Sequence, residues 1–264
     1  MIHVVITGGT RGIGKALAEA FLRKGCHVTL TGRDRAVAEK VAGELISRSD
    51  NPACRGLPCE VTRMKDLQQL WNTASALQQV DIWINNAGIN HPSDPLDRID
   101  PEKIREVLDV NITGTVWGTH TAFRGMKSQG SGFIYNMEGF GSDGRTLQGI
   151  SIYGTSKRAV RYFTRSMEKE LKDSPVRIGS ISPGMVVTDL LVSPLQEQNE
   201  RKDQALKIFH ILADRPERVA PWLATRILRN TKHGKRIAWL TGRKIAWRFF
   251  TSLFRKRKVE GLEL

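Results

Sequence analysis

Two residues in the second half of the chain have the types and the spacing of a proton-transfer pair. Tyr153 and Lys157 stand four residues apart in the segment YGTSKRAV, so a helix there would place them on one face. A phenol has a pKa of about 10 in water, and a nearby ammonium group lowers it by favouring the phenolate. The pair could therefore act as a general acid for carbonyl reduction, with Tyr153 as the donor. Taken alone, a Tyr and a Lys at this spacing are more often two solvent-exposed side chains of a helix without a catalytic role.

A glycine-rich turn near the start of the chain supplies a second site. TGGTRGIG follows the apolar run IHVVI and opens a segment in which Ile13, Leu17 and Phe21 recur at helical spacing. In a strand, turn and helix of this kind, backbone N–H groups and the helix N-terminus can approach a pyrophosphate. The alternative is a tight glycine turn without a ligand. The cofactor contacts predicted in this turn are Gly8, Thr10, Arg11, Gly12, Ile13 and Gly14.

The end of the second predicted strand indicates which dinucleotide would bind. An NAD-binding protein places an acid there for the ribose 2′-hydroxyl, whereas this chain has Gly32 followed by Arg33. Arg33 and Arg11 would supply two cations for a 2′-phosphate, and arginine forms bidentate contacts with phosphate. We therefore expect NADPH to be preferred over NADH, unless both arginines are only solvated surface charges.

The elements that must position these residues alternate regularly. Short apolar runs are followed by segments of helical periodicity, a pattern that indicates a parallel sheet with helices on both faces. Long helices are expected at about 100–127, opened by an Asp-Pro N-terminus, and at 152–172. We expect one α/β domain, a doubly wound sheet of about seven strands over residues 1–242, in which the polar stretch 192–214 serves as a substrate lid. The strands are expected at IHVVITGG, CHVTLTG, residues 55–61, VDIWINNAG, SGFIYNM, PVRIGSIS and RIAWLTG.

Composition narrows the class of protein. The chain has 264 residues, 40% of them hydrophobic and 26% charged, which excludes wholesale disorder and a disulfide scaffold. Cys26, Cys54 and Cys59 lack CxxC spacing and a nearby histidine pair, so we expect reduced thiols and no metal site. No apolar stretch reaches the roughly 18 residues of a membrane span, and no leader precedes the first strand. We expect a cytoplasmic protein that is neither exported nor membrane-spanning.

The motifs TGGTRGIG, NNAG at 85–88, Asn111 and Tyr-x-x-x-Lys, in this order, resemble the short-chain dehydrogenase/reductase family over residues 1 to about 190. The resemblance implies a Rossmann-type sheet, an NADP-dependent oxidoreductase, and a homodimer or homotetramer assembled through the two long helices. It also implies that Asn111, at a break in its helix, holds a water in a proton relay through Lys157. From the residues alone, Asn111 could be a buried kink and NNAG could merely close a strand. The further cofactor contacts that the resemblance implies are Glu60, where the family usually has Asp against the adenine, Val61, Asn86, Ala87, Gly88, Tyr153, Lys157, Pro183, Gly184 and Thr188.

This chain departs from the family after the fifth strand. Most members have a serine there that hydrogen-bonds the substrate carbonyl, but this chain reads NMEGFGS at 136–142. Ser142 is the nearest hydroxyl, so we expect it to take that catalytic role. Glu138 cannot donate to an oxyanion unless it is protonated, and we expect it to cap the loop. The missing serine leaves open a redox-inactive NADPH-binding sensor, although a pure binder has no chemical need of the Tyr/Lys pair.

The same departure resembles one branch of the family. NMEGFGS, YGTSKRAV, SPGMVVTDLLVS and IAWLTGRKIAWRFFTSLFRKRK are similar to the chlorophyll b reductases, and the similarity includes the end of the chain. That branch uses NADPH to reduce the formyl group of the chlorophyll macrocycle to hydroxymethyl. The resemblance implies a large, flat, apolar carbonyl substrate. The alternative is a reductase of lipid, steroid or quinone-like carbonyls delivered from a membrane.

The net charge of +14 is concentrated near the end of the chain, where residues 226–258 contain 12 Lys and Arg and no Asp or Glu. Within the predicted tail 243–264, Trp, Phe and Leu side chains fall on one arc of a helix, opposite Lys244 and Arg248. A basic amphipathic helix with Trp and Phe on its apolar face suits an anionic membrane surface. The alternative is that the apolar face packs on the domain or on a partner subunit. The aromatic residues have no base-reading motif around them, so we expect no nucleic acid partner.

Overall fold

The computed structural model describes residues 1–192, 202–254 and 257–260, which are built around one parallel sheet. Seven strands run in the order β3-β2-β1-β4-β5-β6-β7, and all neighbouring pairs are parallel. This confirms the doubly wound α/β sheet expected from the sequence. The strands are β1 (His3–Ile6), β2 (His27–Gly32), β3 (Cys54–Pro58), β4 (Ile82–Asn85), β5 (Gly132–Met137), β6 (Val176–Ser182) and β7 (Arg236–Ala238).

Helices connect the strands and cover both faces of the sheet. The predicted helix at about 100–127 is two α-helices joined by a π-helical segment, Asp109–Thr113, which is the break expected at Asn111. The α-helices of the described residues are α1 (Gly12–Leu22), α2 (Arg35–Ser49), α3 (Met64–Leu77), α4 (Pro101–Leu108), α5 (Gly114–Gln129), α6 (Ser151–Glu170), α7 (Asp189–Val192), α8 (Lys202–Leu212), α9 (Pro216–Leu228) and α10 (Gly242–Ser252).

The core lies on both sides of the sheet. In β1, Val4 and Ile6 pack into the cluster under α1, α2 and α9, while Val5 packs into the cluster under α3 and α5. Successive residues of a strand point to opposite faces. Because both faces are buried, the strands are continuous apolar runs rather than alternating ones.

The sheet order also fixes where a ligand can bind. Strand β1 has β2 on one side and β4 on the other, so the connections after β1 and β4 leave in opposite directions. Such a switch point opens a crevice at the carboxyl ends of the strands. The glycine turn at 8–14 follows β1, and Asn86 to Gly88 follow β4, so both predicted segments meet at that crevice.

The end of the chain is only partly described. Within the predicted lid at 192–214, residues 193–201 lie outside the described residues, and α8 accounts for most of the remainder. The predicted tail begins within α10, and residues 255, 256 and 261–264 lie outside the described residues. Among the described helices, none is long and apolar enough to cross a membrane.

Candidate active site

A cleft of about 390 Å³ lies at the carboxyl ends of β1 and β4. It is lined by the whole predicted glycine turn and by most of the other predicted cofactor residues. Tyr153, Lys157, Pro183 and Gly184 are not among its lining residues. The predicted residues that line it are Gly8, Thr10, Arg11, Gly12, Ile13, Gly14, Arg33, Glu60, Val61, Asn86, Ala87, Gly88 and Thr188.

The glycine turn has the geometry that a pyrophosphate requires. Gly8 and Gly12 have φ values of +65° and +55°, a conformation that favours glycine. A Cβ on Gly14 would collide with the Gly8 carbonyl and the Asn86 amide. Asn86 Nδ2 holds the turn by donating to the carbonyls of Thr7 and Gly8, each at 2.9 Å. These residues fit a dinucleotide, whose phosphates would lie against the bare backbone and the start of α1.

Two cationic side chains lie at the part of the cleft nearest the end of β2, where the sequence predicted a 2′-phosphate. Arg11 and Arg33 both border the cleft and are exposed. Asp34 also borders it, but its carboxylate accepts from the Val37 backbone N–H at 2.9 Å and thereby caps α2. The carboxylate next to Arg33 is therefore already engaged, and Arg11 forms a long, exposed ion pair of 3.9 Å with Asp189, which also lines the cleft.

The catalytic residues predicted from the motifs converge beyond Gly88. Tyr153 and Lys157 are buried on α6, and Lys157 Nζ lies 5.8 Å from the centre of the Tyr153 ring. Asn111 is buried in the π-helical segment, and its side-chain amide donates to the Ile89 carbonyl at 2.9 Å. A Cβ on Gly88 would lie 3.2 Å from Asn111 Oδ1 and 3.3 Å from Lys157 Nζ. Gly88 therefore joins the cofactor cleft to the proton-transfer residues.

Burial changes the pKa values of Tyr153 and Lys157. It raises the pKa of the Tyr153 phenol above its ordinary value, and it lowers the pKa of Lys157 to about 8. The expected lowering of the Tyr153 pKa by Lys157 is not found, because burial disfavours the charged phenolate and raises this pKa. Tyr153 is therefore protonated at neutral pH, which is the form that a general acid needs.

Ser142 is buried, and both of its hydrogen bonds are made within the protein. Its buried hydroxyl donates its one proton to the Lys157 carbonyl at 3.2 Å and accepts from the Gly139 backbone N–H at 3.1 Å. A hydroxyl engaged in this way holds the loop after β5 and is not free to donate to a substrate oxygen. This geometry corrects the catalytic role expected for Ser142.

Gly139 is the residue after β5 that faces the catalytic tyrosine. A Cβ at this position would collide with Tyr153 Oη and would lie 3.1 Å from Lys157 Cγ. The sequence contained a signal for this position, since Gly139 comes two residues after the end of the predicted strand SGFIYNM. A glycine has no hydroxyl, so the family pattern did not indicate this position.

Glu138 does not cap its loop, which corrects a second expectation. Its buried side chain accepts from Arg236 Nε at 2.8 Å and pairs with Arg236 Nη2 at 2.7 Å. Arg236 begins β7, so the ion pair ties the end of β5 to the edge strand across β6. The pair lies 98 residues apart in sequence, and no local pattern indicated it.

The segment after β6 was predicted to flank the nicotinamide, and its residues separate into two groups. Thr188 lies beside the glycine turn, with its Cγ2 3.2 Å from the place of a Cβ on Gly12. Gly184 has a φ of +75° and packs instead against Leu240, while Pro183 precedes it at the end of β6. Only Thr188 of the three lines the cleft.

Sequence reasoning also missed a buried histidine beside the catalytic tyrosine. His91 Nδ1 lies 2.6 Å from the Pro92 carbonyl, and His91 Nε2 accepts from the Tyr153 backbone N–H at 3.4 Å. These two contacts require a proton on Nδ1. His91 therefore fixes the first turn of α6, and nothing in the sequence around it indicated that role.

The profile of short chain dehydrogenases matches residues 2–199, and the chain belongs to that family of oxidoreductases, whose fold binds NAD(P). It is 34% identical to a probable chloroplastic chlorophyll(ide) b reductase, NYC1, of Arabidopsis thaliana, over 96% of this chain and 53% of the relative. The chain thus spans about half the length of NYC1. It is 35% identical to the chloroplastic chlorophyll(ide) b reductase NOL of the same plant, over 94% of this chain and 73% of that one.

A solved structure supports the same class. A putative NAD(P)-dependent gluconate 5-dehydrogenase from Beutenbergia cavernae, with bound NADP, superposes with a TM-score of 0.76 at 26% identity. The match covers 90% of this chain and 94% of that one.

Proposed function

We propose that the protein reduces the carbonyl group of a large, flat, apolar compound with NADPH, and that the formyl group of a chlorophyll b-type macrocycle is its leading substrate. The observation that carries the reductase assignment is the convergence of Tyr153, Lys157 and Asn111 beside Gly88, at one end of the cofactor cleft. The substrate class rests on the similarity to the chlorophyll(ide) b reductases, which extends over nearly the whole chain.

The protein's own residues would donate the proton that carbonyl reduction needs and would then replace it. When bound, NADPH supplies a hydride for the carbonyl carbon. Tyr153 donates its proton to the carbonyl oxygen, and its raised pKa retains that proton until the oxygen gains negative charge. Lys157 then stabilises the phenolate and binds ribose. The Asn111 carbonyl accepts from Thr115 Oγ1 at 2.8 Å, and the family resemblance implies that Asn111 holds the water of a relay that restores the proton.

The preference for NADPH rests on Arg11 and Arg33. Each charge-assisted contact with a 2′-phosphate is worth roughly 1.5 to 3 kcal/mol when desolvated, and solvent screening at these exposed side chains reduces that value. We still expect at least a tenfold preference, the equivalent of about 1.4 kcal/mol. Titration of Arg33→Ala should bring the two affinities together, whereas Arg35→Ala, a matched control whose side chain pairs with Glu39, should not. Equal affinities of the unaltered protein for NADH and NADPH would refute the preference.

The experiment that tests the mechanism is Tyr153→Phe. This variant should bind NADPH as the unaltered protein does and lose turnover, because only the proton donor has been removed. Tyr162→Phe is the matched control, since Tyr162 lies on the same helix, is exposed in the single chain and keeps its ring in this variant. Substantial residual turnover in Tyr153→Phe would overturn the mechanism. A protein that binds NADPH but reduces no carbonyl compound would be the redox-inactive sensor.

A further inference from the structure

Helix α10 exposes its aromatic side to solvent. Five large apolar side chains of α10 and of the two residues after it are between 42% and 79% exposed, and they lie on one side of the helix. The rings of Trp247 and Phe250 are 6.0 Å apart, and those of Phe250 and Phe254 are 5.5 Å apart, so the surface is continuous. The aromatic face is defined as Trp247, Phe249, Phe250, Leu253 and Phe254.

The polar side of the same helix is fixed to the body of the protein. Arg248 donates to the Leu212 carbonyl at 2.8 Å and to the Asp214 carboxylate at 2.6 Å. Lys244 Nζ lies 3.1 Å from the centre of the Trp239 ring. This contradicts the alternative that the apolar side packs on the domain. A surface helix ordinarily turns its apolar side inward, and α10 does the reverse.

The exposed aromatic face of α10 indicates a surface that contacts another molecule. Single exposed apolar residues are common, but a contiguous exposed apolar patch marks an interaction surface. The N-terminus of α10 is capped by the Thr241 hydroxyl, which accepts from the Lys244 backbone N–H at 3.3 Å. The cap and the Arg248 contacts hold the aromatic face outward in a fixed orientation.

The charge around the aromatic face favours one kind of partner. The stretch 226–258, which contains α10, has 12 cationic and no acidic side chains. Three of these cations, Arg236, Arg248 and Arg257, pair with carboxylates outside the stretch, whereas Arg243 is exposed at the start of the helix. A second copy of this chain docked face to face would bring like charges together. An anionic lipid surface attracts such a stretch, and Trp and Phe side chains suit the boundary between headgroups and acyl chains.

We propose that the aromatic face of α10 docks the protein on an anionic lipid bilayer, with the helix lying in the plane of the interface. The proposal does not rest on the proposed enzymatic function, because docking requires neither cofactor nor substrate.

The fold connects this surface to the cofactor cleft through Asp214. The Asp214 carboxylate holds Arg248, its backbone N–H donates to the Met185 carbonyl at 3.0 Å, and its carbonyl accepts from the Val187 N–H at 3.0 Å. Thr188, the next residue, lines the cleft. One buried residue thus joins the docking helix to the wall of the cleft. A docked protein would hold this wall at the surface of the phase into which large apolar carbonyl compounds partition.

The test is vesicle flotation of the full chain without NADPH or substrate, on phosphatidylcholine vesicles with and without phosphatidylglycerol. The unaltered protein should float with the anionic vesicles. Phe250→Ser combined with Phe254→Ser should weaken binding by at least about tenfold, a change of about 1.4 kcal/mol. The matched control is Leu77→Ser combined with Leu96→Ser, two exposed leucines outside α10, and it should bind normally. Unchanged thermal unfolding would show that both variants are folded.

Three results would overturn the docking proposal. The first is equal flotation of the α10 variant and the unaltered protein. The second is equal binding to neutral and anionic vesicles. The third is no flotation of the unaltered protein, with light scattering showing that the α10 substitutions convert an oligomer into monomers, since a second copy would then cover the aromatic face. None of these results bears on turnover, which the Tyr153→Phe experiment tests separately.

Discussion

Gly139 has no side chain, and this allows Tyr153 to approach the backbone just after β5 closely. A serine at this position should harm the protein, because its Cβ would collide with Tyr153 Oη. We expect Gly139→Ser to lower turnover by at least tenfold, about 1.4 kcal/mol in the barrier, with NADPH affinity little changed.

The control for that substitution is Gly43→Ser, which adds the same atoms to α2 at a place with nothing within 4 Å of the new Cβ. The comparison is steady-state kinetics of the two variants with the same carbonyl substrate. Higher turnover in Gly139→Ser would show that the added hydroxyl finds the substrate carbonyl, and that the placement of Tyr153 is wrong.

The lowered pKa of Lys157 predicts how cofactor use depends on pH. Burial brings that pKa to about 8, so the side chain is cationic below this pH and neutral above it. A neutral Lys157 neither attracts the cofactor nor stabilises a phenolate, so kcat/KM for NADPH should fall as pH rises through about 8. Lys157→Met should be low at every pH, whereas Lys172→Met, at an exposed position, should keep the full profile. A flat profile of the unaltered protein across this range would contradict the assignment.

At the scale of elements, Asp214 holds together parts of the chain that are distant in sequence. Its buried carboxylate accepts from Trp239 Nε1 at 2.6 Å and pairs with Arg248 and Arg257. Burial alone would raise the pKa of Asp214, but the hydrogen bonds from Trp239 and Arg248, together with the charges of the arginines, hold the pKa below its ordinary value. The carboxylate therefore stabilises the fold in its ionised form.

Removing that charge should destabilise the protein. Asp214→Asn leaves the mostly buried Arg248 without its partner, and breaking a buried pair costs about 3 kcal/mol of unfolding free energy. Because the folded pKa is below the unfolded value of about 3.9, the stabilisation is present above that pH and is lost as pH falls through the folded pKa. Urea unfolding should show a large difference between variant and unaltered protein at neutral pH and a smaller one in acid. Asp173→Asn, an exposed control, should show neither, and equal stability of Asp214→Asn would contradict the role.

The sheet was predictable from the sequence because each buried strand is an apolar run that ends in turn residues. The order of motifs also predicted which segments meet at the crevice after β1 and β4. The orientation of α10 could not be predicted, since periodicity defines two sides of a helix but does not say which side contacts the rest of the protein. The residue that holds the polar side, Asp214, lies 34 residues before Arg248 in a segment without a motif. The ion pair between Glu138 and Arg236 could not be predicted for the same reason, since 98 residues separate the two side chains in sequence.

At the scale of the whole molecule, we propose a homodimer or homotetramer assembled through α4, α5 and α6, as the family resemblance implies. Tyr162 of α6 is 75% exposed, a large side chain available for such an interface. Light scattering at micromolar concentration should give the mass of at least two chains, and Tyr162→Glu should lower it. A monomer in the unaltered protein would contradict this assembly.

The whole-molecule account joins a dinucleotide cleft, a buried proton donor and a helix that presents its aromatic side outward. We propose that these three features together serve a reductase that works on an apolar carbonyl compound at a membrane surface.

The most direct test of the central claim follows the hydride. NADPH carrying deuterium at both C4 positions of the nicotinamide is incubated with the protein and chlorophyll b, with retinal, a steroid ketone and a quinone as comparators, and the products are analysed by mass spectrometry. The account predicts a hydroxymethyl product that carries one deuterium on the new carbinol carbon, and no such product from Tyr153→Phe. Binding of NADPH without reduction of any of these carbonyl compounds, or a reduced product without deuterium, would contradict it.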